Sequence, residues 1–212
     1  MDLRINGIEF HKNLLNGKYF YTDKRVKKVF TYWKNLLDAG YFTKNALELE
    51  WRSVLPDIYR ENSAMYLIGN FVIDKIPDEM IDNIGFFQFP NIDPKIPLYE
   101  EAPLDVLLIP KNSVHKQSAK KFLTYMSTPS ILEELNESTG MISPSIKQTL
   151  SKNYFIYSGW NLLNNAKGLT QFYDRDQTIE NADIGMDGFK NFIQNPSDLE
   201  KILENIQNRL VK

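Results

Sequence analysis

The chain has 212 residues, 42% of them hydrophobic and 25% charged, with a formal net charge of −2. That composition excludes a mainly disordered chain, and 25 basic against 27 acidic residues give no broad electrostatic footprint for nucleic acid or an anionic membrane surface. The sequence has no Cys and, as histidines, His11 and His115 alone, so disulfides, thiolate nucleophiles and multi-histidine metal sites are excluded.

In chain order, the first residues, Met1 to Asn6, hold no apolar h-region, so no signal peptide is read there. No run of about 18 apolar residues follows, so no membrane-spanning helix is expected. Residues 24–38 are the clearest helix. Val26, Val29, Phe30, Trp33, Leu36 and Leu37 recur at i, i+3, i+4, i+7, with Thr22 or Asp23 able to cap the start and Gly40 placed for the stop. Residues 52–60 read as a weaker helix around Pro56. Residues 64–68 read as a strand, broken at Gly69-Asn70 into a short helix. Residues 83–90 carry a second strand signal. Pro90, Pro94, Pro97 and Pro103 then stiffen a segment that reads as a crossing between two lobes. Residues 104–110 read as a buried strand. An amphipathic helix at 115–127 follows, with Ala119, Phe122, Leu123 and Met126 on one face. Another runs over 129–139, from Pro129 in its first turn to a stop at Gly140. The last third is helical: a short helix at 187–194, then 197–211 with Leu199, Ile202, Leu203, Ile206 and Leu210 on one face. The whole is an α/β chain.

Motifs for phosphate loops, dinucleotide binding, a nucleophile elbow or a zinc protease are absent from the sequence. His115 reads as a solvated residue at a helix start rather than a general base. The densest polar cluster is Asp174-Arg175-Asp176, preceded by Phe172-Tyr173. Its two carboxylates lack the glycine and spaced acids of a calcium loop. Glycoside hydrolysis would need a carboxylate separation that sequence does not give. The plain reading is a salt-bridged loop at a helix start, where carboxylates suit the helix dipole. A carbohydrate-binding reading also fits, because Asp and Arg bond planar pairs of hydroxyls and Tyr stacks on the C–H face of a sugar. Trp33 reads as core. Trp51 and Trp160, flanked by polar residues, read as partly exposed anchors.

The run Glu61-Asn62-Ser63-Ala64-Met65-Tyr66-Leu67-Ile68-Gly69-Asn70-Phe71 resembles the G-K-A-A-M-x-L-x-G-x-[WF] segment of family 1 extracellular solute-binding proteins, the sugar-binding components of ABC importers. Further matches follow in the family's order. Residues 82–90 resemble its D-I-G-F-F-P-F-P strand, and Ile109-Pro110-Lys111-Asn112-Ser113 with 119–127 resemble its P-K-x-S strand and A-x-x-F-L-x-Y-M helix. Gly140-Met141-Ile142-Ser143-Pro144 resembles G-x-I-P-P. Residues 168–176 resemble a G-L-x-Q-F-Y-D-R-D signature of one sugar-binding branch, and 185–189 and 196–203 continue it. Each match is weak singly; in order over nearly the whole chain they are specific.

The resemblance implies an incomplete two-lobe, periplasmic-binding-protein-like (type II) fold with a helix-rich C-terminal portion. Family members are about twice as long, so the chain reads as the second half of such a protein, cut or started internally at Met1. Residues 1–90 and 150–212 would be C-lobe and 104–148 a returning N-lobe segment, with crossings at 90–103 and about 148–152. Helices such as 24–38 would then lose part of the sheet they cover. The implied function is to trap a saccharide between lobes by hinge closure, with the closed form read by the importer's membrane subunits. On that reading Phe71 is the stacking aromatic, in a place where the family favours Trp. Gly69 and Asn70 shape its turn. Tyr173, Asp174, Arg175 and Asp176 follow as ligand contacts, and Trp51 as a lip aromatic. No catalytic residue, metal or cofactor is implied. The expected partners are a saccharide, the importer's membrane subunits and a missing N-terminal half, with neither nucleic acid nor direct membrane insertion. The family works in the periplasm or at the cell surface. Two alternatives stand beside this: a split or truncated product with no autonomous binding, and a glycoside-active enzyme using Asp174 and Asp176.

Overall fold

The computed structural model describes residues 1–145 and 150–210. The chain divides into two units. One comprises Met1–Leu49, Pro90–Pro103 and Asn165–Lys212; the other comprises Glu50–Phe89 and Leu104–Asn164.

The first unit is built on helices. Helix α1 (Asp2–Ile5) leads through Asn6 into α2 (Gly7–Leu15). Gly7 takes φ +78 there, with Tyr99 and Ile96 close against it, a turn that glycine makes without strain. Helix α3 (Lys24–Asp38) has the bounds expected from the sequence, and the Asp23 carboxylate accepts from the Arg25 N–H as its N-cap. Later come α8 (Ile179–Gln194), capped by Thr178, and α9 (Leu199–Arg209). Their apolar faces close one core of Phe10, Leu14, Tyr21, Val26, Phe30, Ile184, Phe192, Leu203 and Ile206. Helix α3 is not stripped of cover as expected. Phe30 meets Phe192 edge-on at 4.8 Å, and Trp33 lies 5.3 Å from the same ring. The contact with α8 buries the face that a sheet was expected to cover.

Helix α8 begins eight residues before the expected 187, and Gly185 and Gly188 lie buried within it. Glycine weakens a helix interior, which is why the pattern reads as shorter. At Gly188 the packing explains the residue: a Cβ there would lie 2.4 Å from Ile206 of α9.

Among the described residues, one β ladder is present. Strands β1 (Glu100–Glu101) and β2 (Leu169–Thr170) pair in parallel, Glu100 opposite Leu169 and Glu101 opposite Thr170. The proline-rich stretch 90–103 belongs to this first unit. Its Leu98 carbonyl accepts from Lys167 N–H at 2.8 Å, and Arg4 bonds the Tyr99 carbonyl and the Glu100 carboxylate.

The second unit holds α4 (Leu55–Tyr59), with Pro56 in its first turn, and 3₁₀ turns at Asn70–Lys75 and Asp78–Asn83. It continues with α5 (Lys116–Met126), α6 (Pro129–Thr139) and α7 (Tyr154–Asn165). Helix α6 ends as the sequence predicts, on Gly140 in the left-handed conformation at φ +68. The core of the second unit is Leu55, Val72, Ile73, Ile76 and Phe155.

The strands expected at 64–68, 83–90 and 104–110 form no ladder among the described residues. Strand signals express a capacity to pair, and pairing needs a neighbour. Tyr66, Ile68, Ile84 and Phe86 pack instead on the core of the second unit. The division into units groups 50–89 with 104–164 and sets 90–103, the span read from the sequence as a crossing, in the first unit. Of the expected crossing at 148–152, residues 148 and 149 lie outside the described residues. Segment 104–110 is not buried: Leu108 is 80% exposed, and Leu104, Val106 and Leu107 are exposed too. No helix among the described residues is long and apolar enough to cross a membrane.

Candidate functional site

In the second unit, Gly69 caps the start of the 3₁₀ turn whose first residues are Asn70 and Phe71. Gly69 lets the Phe71 ring fold back over the chain: a Cβ at 69 would lie 2.4 Å from that ring. The ring so placed meets Trp51 perpendicularly, at 5.8 Å and 88°. Trp51 is held through its carbonyl, which accepts from the Tyr66 hydroxyl at 3.2 Å. The Arg52 guanidinium lies 4.2 Å from the Trp51 ring centroid and is tied to Glu50 at 3.2 Å. Trp51 and Phe71 are both half-buried. The result is an aromatic corner with a guanidinium over the Trp51 ring, a combination of aromatic surface and N–H donors that suits the C–H faces and hydroxyls of a sugar ring.

Asn70 has a different place. Its side-chain amide donates to the Gly140 carbonyl at 3.0 Å, and it wedges against Gly159, where an added Cβ would lie 3.2 Å from the Asn70 Cγ. It ties the 3₁₀ turn to the end of α6 and the middle of α7.

In the first unit, residues 172–176 form a tight turn. The Phe172 carbonyl accepts from both Arg175 N–H at 2.9 Å and Asp176 N–H at 3.0 Å, and the Asp176 carboxylate accepts from Gln171 N–H at 3.2 Å. Asp174, Arg175 and Asp176 are exposed. The Arg175 guanidinium lies 5.9 Å from the Phe172 ring. Tyr173 turns inward: its hydroxyl bonds that of Tyr21 at 2.9 Å, and its ring lies 5.1 Å from Phe189. Burial raises both phenols above their ordinary range, so both stay neutral.

The structure thus joins Trp51, Gly69, Asn70 and Phe71 in one unit and Tyr173, Asp174, Arg175 and Asp176 in the other. Sequence reasoning missed Arg52, whose signal was its adjacency to Trp51. It also missed Tyr21, 152 positions from its partner Tyr173, and the contact of Tyr173 with Gly185, which the sequence offered only as a motif residue. A separate pocket of about 260 Å³ between α6 and α7, lined by Glu137, Tyr157 and Trp160 among others, contains none of the expected ligand residues.

Comparison with known proteins bears on the fold and on the family. The bacterial solute receptor AcbH, which has an exclusive substrate preference for β-D-galactopyranose, superposes with a TM-score of 0.85 at 24% identity, covering 98% of this chain and 54% of that one. A chitin oligosaccharide binding protein superposes at 0.79 with 20% identity, covering 98% and 53%. An uncharacterised ABC transporter extracellular-binding protein of Pyrococcus horikoshii is 23% identical over 152 residues, 68% of this chain and 32% of that protein. The chain spans about half the length of the two solved structures and about a third of the curated relative. These likenesses identify the fold as periplasmic-binding-protein-like and helix-rich. The family described as bacterial extracellular solute-binding protein matches over residues 6–131, more than half of the chain. With the motifs of 61–71, 82–90 and 109–127 all falling inside that match, the chain belongs to the bacterial extracellular solute-binding protein family.

Proposed function

We propose that this chain serves as substrate-binding polypeptide of an ABC sugar importer, with Trp51 and Phe71 as saccharide contacts on one unit and, separately, the exposed turn 174–176 as a saccharide contact on the other. Family membership carries the reading. The perpendicular Trp51–Phe71 pair beside Arg52 supports it, because stacking surface with planar N–H donors is what a pyranose requires. The named ligands of the two solved relatives, a galactopyranose and a chitin oligosaccharide, point to the same class. Gly69 and Asn70 act here as the frame of the aromatic corner, and Tyr173 as the inward anchor of the turn. The ligand would be trapped by hinge closure, as in the family, and handed to the importer's membrane subunits outside the cytoplasmic membrane. No bond of the saccharide is broken in this account.

The test is calorimetric titration of the polypeptide, produced as its gene encodes it, with D-galactose and with N,N′-diacetylchitobiose. Saturable binding with both saccharides recovered intact supports the reading. Released monosaccharide from diacetylchitobiose would favour the enzyme alternative at Asp174 and Asp176. Absence of heat with both sugars would remove the reading for these ligands.

A further inference from the structure

We propose that Tyr21 and Gly185 are positioning residues that set saccharide affinity through Tyr173, without touching the ligand; this rests on the reading of the 174–176 turn as a ligand contact.

The bonds inside the turn fix its shape. Phe172 O, Arg175 N–H, Asp176 N–H and Gln171 N–H are all within six residues. They do not fix where the turn sits on the unit. Its position is set by contacts that leave it. The Tyr173 hydroxyl bonds the Tyr21 hydroxyl at 2.9 Å, and the Gln177 amide donates to the Leu15 carbonyl at 3.0 Å. Tyr21 is a firm anchor. It is 4% exposed, and its own N–H donates to the Gln207 side chain of α9 at 2.7 Å.

The Tyr173 ring also packs on Phe189 at 5.1 Å, and a further contact is steric. A Cβ on Gly185 would lie 1.9 Å from the Tyr173 hydroxyl oxygen and 2.5 Å from its Cζ. Gly185 sits in the interior of α8, where alanine would be the better helix former. What alanine cannot do there is leave room for the Tyr173 ring. The tyrosine is therefore seated between a hydroxyl partner on one side and a missing side chain on the other. Asp174, Arg175 and Asp176 follow it directly in the chain and inherit its position. A ligand-contacting group displaced by about 1 Å loses much of its effect, because its supporting shell sets its geometry.

Tyr21→Phe removes one hydroxyl and keeps the ring; Gly185→Ala adds one methyl and no polar group. Each variant is titrated with D-galactose and N,N′-diacetylchitobiose, and its amide hydrogen exchange is mapped. The expected result for Tyr21→Phe is about five- to tenfold weaker binding, the effect of one net hydrogen bond, with a larger loss for Gly185→Ala. Exchange at Gln171, Arg175 and Asp176 should quicken while Leu203 and Ile206 in α9 keep their protection. Unchanged affinity in both variants overturns the proposal. So does a loss of protection spread evenly over α8 and α9, which would mean a general weakening of the core. If the unaltered protein binds neither sugar, the functional reading fails separately. The exchange pattern still decides whether Tyr21 and Gly185 place the turn: quickened turn amides support that role and unchanged ones overturn it.

Discussion

The rings of Trp51 and Phe71 stand perpendicular with 5.8 Å between their centroids, and Gly69 makes that meeting possible by leaving the space that the Phe71 ring occupies. On the proposed function this corner is a stacking surface. Phe71→Ala should weaken saccharide binding by about 1–2 kcal/mol, roughly five- to thirtyfold, as read by calorimetric titration. Trp51→Ala should act in the same direction. A variant pair with unaltered affinity would take the corner out of the site.

Asn70 lies beside the corner and has a structural task. Asn70→Ala strips the Gly140 carbonyl of its 3.0 Å donor and should cost about 1–2 kcal/mol in urea unfolding. Gly140→Ala is expected to cost at least as much. It forces a side chain into φ +68 and brings a Cβ to 2.4 Å from Ile73 Cγ2, a buried core residue. If both variants unfold at the unaltered midpoint, the tie between the 3₁₀ turn and the end of α6 contributes nothing.

Asp23 gives a pH dependence with a defined sign. Its carboxylate caps α3 at Arg25 N–H and takes the Arg25 guanidinium at 2.7 Å. The hydrogen bond from Arg25 holds its pKa down at about 2, from an ordinary 3.8. A carboxylate lowered on folding stabilises fully above its unfolded pKa, and that stabilisation is lost as the pH falls through the folded value. Stability measured between pH 5 and pH 2 should therefore fall less steeply in Asp23→Asn than in the unaltered protein. At pH 7, Asp23→Ala should cost about 1 kcal/mol through the lost cap.

What was legible in the sequence was what is decided locally. Helix 24–38 shows its apolar stripe within its own residues and its cap and stop close beside them at Asp23 and Gly40, and helix 129–139 carries Pro129 and Gly140 at its two ends. The segments 64–68, 83–90 and 104–110 read as strands and form no ladder among the described residues, because apolar, β-branched runs report a capacity to pair and say nothing of a neighbour. Phe71 and Trp51 could each be named from the sequence, but their contact depends on the backfolding at Gly69. Tyr173 was named as a ligand residue from its neighbours in the motif. Its inward turn depends on Tyr21, 152 positions away.

The exposed segment 104–108 supplies a contrast within one unit. Leu108 makes little of the core at 80% exposure, so Leu108→Lys should change unfolding free energy by less than about 0.5 kcal/mol. Ile73→Ala, in the core of the same unit, should cost about 2–4 kcal/mol. Equal effects in urea titrations would contradict the placement of these two residues.

The most direct test of the whole account is the calorimetric titration of the unaltered polypeptide with D-galactose and N,N′-diacetylchitobiose. The account predicts saturable one-to-one binding of at least one of them, with the sugar recovered chemically unchanged. No binding of either sugar, or release of monosaccharide during the titration, would contradict it.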